Sequence, residues 1–179
     1  MTAVLAALIL APGGTMPQAE YHAPRNWEED TSTSIAGKEV PQNRVALIAD
    51  PKGKLDLLIE GGPAIILVNG GKAGLNFTSC DGCLPMWREA KDSKGTWRPI
   101  EWLAVSECGN SYDAPSLKPG RMWTWPIPTE SGSFPTQVRF ALKAAGKKIV
   151  SNPYEDRIDP AMFQLDETLR GSKFIRIGG

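Results

Sequence analysis

One histidine, three cysteines, no net charge and no apolar run of membrane-spanning length mark this 179-residue chain by what it has little of. The lone imidazole, His22, sits in a polar stretch. Acyl-transfer triads need an imidazole beside the nucleophile, so Ser-His-Asp chemistry is disfavoured. Blue copper needs two histidines with a cysteine, which closes that option. A zinc site takes four ligands when structural and three when catalytic, and Cys80, Cys83, Cys108 and His22 make four only if the polar arm folds back onto the cysteines. No metal and no cofactor is expected. Lys plus Arg and Asp plus Glu each total 20, so no overall basic field gathers phosphates and nucleic acid is not an expected partner. No segment reaches the roughly 20 apolar residues of a transmembrane helix.

What is present is glycine (18), proline (15) and tryptophan (6), the composition of many short strands joined by tight turns. At this length one domain is the default, and its core needs no metal or dense disulfide framework. Residues 3–11, AVLAALILA, followed by PGG, match the apolar part of a secretory signal and are too short to cross a bilayer as a helix. No basic residues precede the run, so a buried strand or short helix is the competing reading. Residues 1–19 are therefore a candidate signal segment and residues 20–44 a flexible polar arm rich in Pro, Ser and Thr. The sandwich domain is expected over residues 45–179.

From Val45 the texture becomes short apolar runs with turn punctuation: RVALIAD, LDLLIEG, AIILVNGG. Residues 64–68 carry no polar break and read as a central strand covered on both faces. Trp87 to Lys91, the turn DSKG and TWRPIE read as a hairpin, with Pro99 placing the second arm near an edge. TQVRFALK alternates, Val138, Phe140 and Leu142 against Gln137, Arg139 and Lys143, which gives a strand with one wet face. In IDPAMF, Asp159 is an N-cap with Pro160 at the first helical position, so one short helical turn follows. Eight or nine such strands without long helical patterns predict an all-β fold of two packed antiparallel sheets.

The segments CGNSY, LKPGRMWTWPIP, GSFPTQVRF and IVSNPYEDRIDPAMF resemble the C-terminal half of uncharacterised exported bacterial proteins with an immunoglobulin-like β-sandwich. The turn LKPG before a strand, with a later G-x-F, is also similar to the immunoglobulin-like inhibitor family named for an intracellular proteinase inhibitor of bacilli. The first resemblance implies an exported immunoglobulin-like sandwich and no known activity; inhibition would be an analogy of fold alone. The antibody Cys, Trp, Cys spacing is absent.

Cys80 and Cys83 form a Cys-x-x-Cys pair, but a redox pair sits at a helix N-terminus, and here Leu-Pro-Met-Trp leads into a strand. The remaining reading is a disulfide from Cys80 or Cys83 to Cys108, expected in an exported chain. It would stabilise the fold by roughly 3 to 4 kcal/mol on the chain-entropy model. Carboxylate pairs such as Glu101 with Glu107 or Asp156 with Asp159 are better read as solvated loop charges than as a glycosidase pair. Five tryptophans cluster between residues 87 and 125; core packing is the general expectation, with Trp97, Trp102 and Trp87 as the binding candidates. The expected protein is a non-catalytic, periplasmic or secreted binding or assembly module with a protein partner. The alternatives are a polysaccharide bound on exposed tryptophans, and a thiol-redox or metal-binding role for the three cysteines.

Overall fold

The computed structural model describes residues 33–38, 40–55, 62–80, 83–101, 103–104, 112–128, 131–164 and 174–175. The candidate signal segment, His22, Trp102, Glu107 and Cys108 lie outside the described residues. Among these residues strand dominates: β1 (Thr33–Ser34), β2 (Val45–Asp50), β3 (Ala64–Asn69), β4 (Leu75–Asn76), β5 (Ser79–Cys80), β6 (Met86–Lys91), β7 (Trp97–Pro99), β8 (Leu103–Ala104), β9 (Tyr112–Asp113), β10 (Ser116–Leu117), β11 (Arg121–Pro126), β12 (Phe134–Ala144), β13 (Lys147–Val150), β14 (Tyr154–Ile158) and β15 (Phe174–Ile175). One 3-10 turn among the described residues, Pro160–Phe163, follows Asp159, whose side chain accepts from the Ala161 backbone N–H as an N-cap does. No helix of the described residues is long and apolar enough to cross a membrane.

Two larger antiparallel sheets carry the chain, one four-stranded in the order β1-β11-β3-β2 and one five-stranded in the order β13-β12-β6-β7 with β14 also on β12. Strand β3 is buried along its whole length, as its unbroken apolar run requires of a strand between two neighbours. Its Ile65 and Leu67 face one way, into a cluster with Trp123 and Trp125 of β11 and with Val138, Phe140 and Leu142 of β12. That cluster draws on both sheets, so they share one core. Ile66 and Val68 face the other way, onto Met122 and onto Ile35 and Val40. The last part of the segment read as an arm thus meets the sheet: β1 pairs with β11, and Ile35 and Val40 are buried against it.

Strand β12 organises the second sheet. One edge pairs with β6, and the other is divided between β14 over Phe134 to Val138 and β13 over Ala141 to Ala144. Phe140 falls between the two partners, and Ser151 fills the gap: its backbone N–H donates to the Phe140 carbonyl at 2.9 Å and its Oγ accepts from the Phe140 N–H at 3.0 Å. The next residue, Asn152, reaches the other sheet, donating from Nδ2 to the Ala49 carbonyl at 2.8 Å and accepting at Oδ1 from the Ala49 N–H at 2.9 Å. Its carboxamide completes the outward backbone groups of Ala49 as a neighbouring strand would.

Both hairpins of this sheet follow from their turn residues. Between β12 and β13, Ala144 pairs with Lys147, leaving a two-residue loop with φ 46° at Ala145 and 74° at Gly146, the positive pair of a type I′ turn. Between β6 and β7, Asp92 Oδ1 accepts from the N–H groups of Lys94 and Thr96, each at 2.9 Å, and Gly95 takes φ 77°. Pro99 lies on the edge strand β7, where a missing donor costs least.

Candidate functional site

The strongest grouping of charged and aromatic side chains lies on the outer face of the five-stranded sheet. Side chains alternate along a strand, so with Met86 and Ala90 of β6 in the shared core, Trp87, Glu89 and Lys91 point outward. On β12 the same logic sends Gln137, Arg139, Ala141 and Lys143 outward. The register then sets Glu89 beside Arg139, Trp87 beside Ala141, Lys91 beside Trp97 and Lys143 beside Lys148.

These neighbours form a continuous row. Lys91 Nζ lies 5.4 Å from the Trp97 ring centroid and the Arg139 guanidinium carbon only 4.2 Å from it. Arg139 also donates from Nε (2.9 Å) and Nη2 (2.7 Å) to Glu89 Oε2. The other oxygen of Glu89 accepts from Lys148 Nζ and from the Trp87 indole N–H at 3.2 Å. Lys148 Nζ in turn lies 5.5 Å from the Trp87 ring centroid. A cation over an aromatic face contributes about 0.5–1 kcal/mol at an exposed site and about 2 when desolvated.

Glu89 is only 4% exposed. Burial alone raises the pKa of its carboxyl, but the Lys148, Arg139 and Trp87 donors outweigh burial and hold it below the ordinary carboxylate value. The row is held from four strands and sets three cations, Lys91, Arg139 and Lys148, around one carboxylate. It presents a fixed indole and a guanidinium, side-chain types enriched at protein interfaces, together with ammonium groups, which are depleted there.

A second ion pair lies inside. Arg88 shares its parity with Met86 and Ala90 and is 2% exposed, as is Glu101. Arg88 Nε donates to Glu101 Oε1, and the Arg88 backbone N–H donates to Oε2 at 2.8 Å. The Ile100 N–H donates to the Arg88 carbonyl at 3.0 Å. Glu101, read from sequence as a loop charge, is therefore a buried counter-ion, and the correction follows from Arg88 falling on the core face.

Of the three binding candidates, Trp97 is half-buried in the row, Trp87 is 2% exposed with its indole committed to Glu89, and Trp102 lies outside the described residues. Trp123 and Trp125 pack in the core. Cys80 is in β5, paired with Tyr112 of β9, and Cys83 is half-buried shortly before β6. The chain after Cys83 enters a strand, so no helix N-terminus bears on the pair. Among the described residues no disulfide and no metal-ligating group of three His, Cys, Asp or Glu is present. Sequence reasoning passed over Glu89, Arg139, Lys148 and Lys91. The available signal was parity, since Trp87, Glu89 and Lys91 alternate with core residues. Comparison with known proteins finds no matching family model, no matching curated protein and no matching solved structure.

Proposed function

We propose that this chain is an exported, immunoglobulin-like β-sandwich that acts as a non-catalytic binding or assembly module, recognising a protein partner in the cell envelope through the outer face of its five-stranded sheet. Two sheets sharing one core support the sandwich, and the apolar run at residues 3–11 supports export to the periplasm or beyond. The observation that carries the binding assignment is Trp97, half-buried and held by Arg139 at 4.2 Å. An indole fixed in this way loses little entropy when a partner covers it. A sugar would have to compete with the guanidinium for that ring face, which favours a protein over a polysaccharide.

The test is affinity isolation from the native envelope with wild type and Trp97→Ala in parallel, folding being checked by near-UV circular dichroism. A partner recovered with wild type should bind the variant at least about 30-fold more weakly, the loss of about 2 kcal/mol expected at an interface anchor. A monodisperse wild-type chain with no partner, or equal binding by both proteins, overturns the proposal. Binding to a glycan array that quenches tryptophan fluorescence would replace it with the carbohydrate reading.

A further inference from the structure

Resting on that reading, we infer that the partner presents an extended acidic segment, and that the basic tip of the β12–β13 hairpin receives one of its carboxylates. Lys143 and Lys148 are exposed on the outer face beside the two-residue turn, whereas Lys147, paired with the core residue Ala144, leaves the hairpin on its other side. Lys143 and Lys148 stand directly opposite each other in the register. Like charges in that position repel, an arrangement an isolated hairpin gains nothing from. Lys148 directs its ammonium to Glu89 and the Trp87 ring. Lys143 has no ion pair among the described residues.

The tip continues into the rest of the face. Along β12, six residues separate Lys143 from Gln137, about 20 Å at roughly 3.4 Å per residue. Within that span lie Arg139, the Lys91 and Trp97 pair, and Val150, which is 41% exposed and sits beside Ala141 in the register. Glu89, the acid within the row, is already saturated by its donors, and the exposed Glu155, beside Gln137 at the far end of the span, accepts from the Gln137 amide at 3.0 Å. In a chain of zero net charge this gathers cations on one face. An extended segment of six or seven residues spans the distance, setting a carboxylate between the facing Lys143 and Lys148 and an apolar side chain on Val150. Charge complementarity of this kind selects partners and speeds encounter.

The test uses the full chain and a fluorescent seven-residue peptide of alternating Glu and Leu, with its Gln-Leu counterpart as the neutral probe. The Glu peptide should bind at least tenfold tighter than the Gln peptide, and its affinity should fall several-fold between 50 and 300 mM salt. Lys143→Glu should lose at least fivefold. Lys147→Glu and Lys72→Glu, the same charge change at exposed lysines outside this face, should each change it less than twofold. Equal binding of the two peptides, or equal loss in the Lys143 and Lys147 variants, overturns the inference. So does attachment to vesicles containing phosphatidylserine that depends on Lys143 without peptide binding, which would make the face a membrane contact. If an isolated partner requires Trp97 but responds neither to salt nor to Lys143→Glu, the acidic segment is refuted while the binding module stands.

Discussion

Ala145 is the only non-glycine residue at positive φ among the described residues, at 46°. Its Cβ approaches the following carbonyl in that conformation, a cost of roughly 1–2 kcal/mol for an L-residue other than Asn, Asp or Gly. The turn type explains why the chain accepts it: a type I′ loop matches the twist of β12 and β13, and Gly146 supplies the second positive φ without strain. Asn is the residue such a turn favours at the first position. Ala145→Asn should therefore stabilise the protein by about 1 kcal/mol, raising Tm by about 2–4 °C for a chain of this size. Ala145→Val should lower it, because a β-branched side chain tolerates positive φ least. Thermal denaturation followed by circular dichroism checks both, and an unchanged or lower Tm for the Asn variant would mean that the turn does not hold this geometry. Gly132 illustrates the opposite constraint: a Cβ there would lie 1.8 Å from the Ile158 carbonyl carbon, so close approach to the end of β14 leaves room for glycine alone.

Strands β3 and β12 were legible in the sequence because each keeps its period throughout. Residues 64–68 are apolar without a break, and Val138, Phe140 and Leu142 alternate with polar neighbours. The hairpin turn at Asp92 and the Asp159-Pro160 start were legible because their side chains cap the backbone locally. The two-residue strands β4, β5, β8, β9, β10 and β15 are too short to show a period, and Ile35 and Val40 are single apolar residues in polar surroundings. Strand β6 was misleading in a specific way. MWREAK places Arg88 on the core face, and the counter-ion that makes this tolerable comes from beyond β7. Glu101 also accepts from the Arg88 backbone N–H, so the pair fixes how β6 meets the chain after Pro99. Glu101→Leu alone should cost about 3–5 kcal/mol, because it leaves a buried guanidinium without its carboxylate. Arg88→Met combined with Glu101→Leu should recover much of that loss, since an apolar pair of similar volume needs no desolvation. Urea denaturation of the single and double variants checks the coupling; additive losses would show that the two side chains do not act as a pair.

The outer row links four strands through one buried carboxylate, and so ties the stability of the molecule to a single proton. Glu89 has a folded-state pKa below its ordinary value of 4.5, because its Lys148, Arg139 and Trp87 donors outweigh the effect of burial. A depressed carboxyl pKa stabilises the fold fully above the unfolded value and loses that contribution as pH falls through the folded value. Tm should thus be level above about pH 5 and decline below 4.5, as Glu89 gains a proton and releases Lys148 and Arg139. Asp92 is held low in the same direction, chiefly by the Thr96 backbone N–H, so part of the decline belongs to the β6–β7 turn. Glu89→Gln separates the two contributions. At neutral pH the variant should melt below wild type, and the gap should narrow as the pH drops through the folded pKa of Glu89, leaving the Asp92 part of the slope. Salt distinguishes the buried row from the hairpin tip. Glu89 is nearly inaccessible, so 0.5 M NaCl should leave most of the acid decline in place, whereas binding at the exposed Lys143 should weaken sharply. A gap between wild type and Glu89→Gln that stays constant from pH 7 to pH 2 would show that Glu89 does not carry this charge in the folded protein.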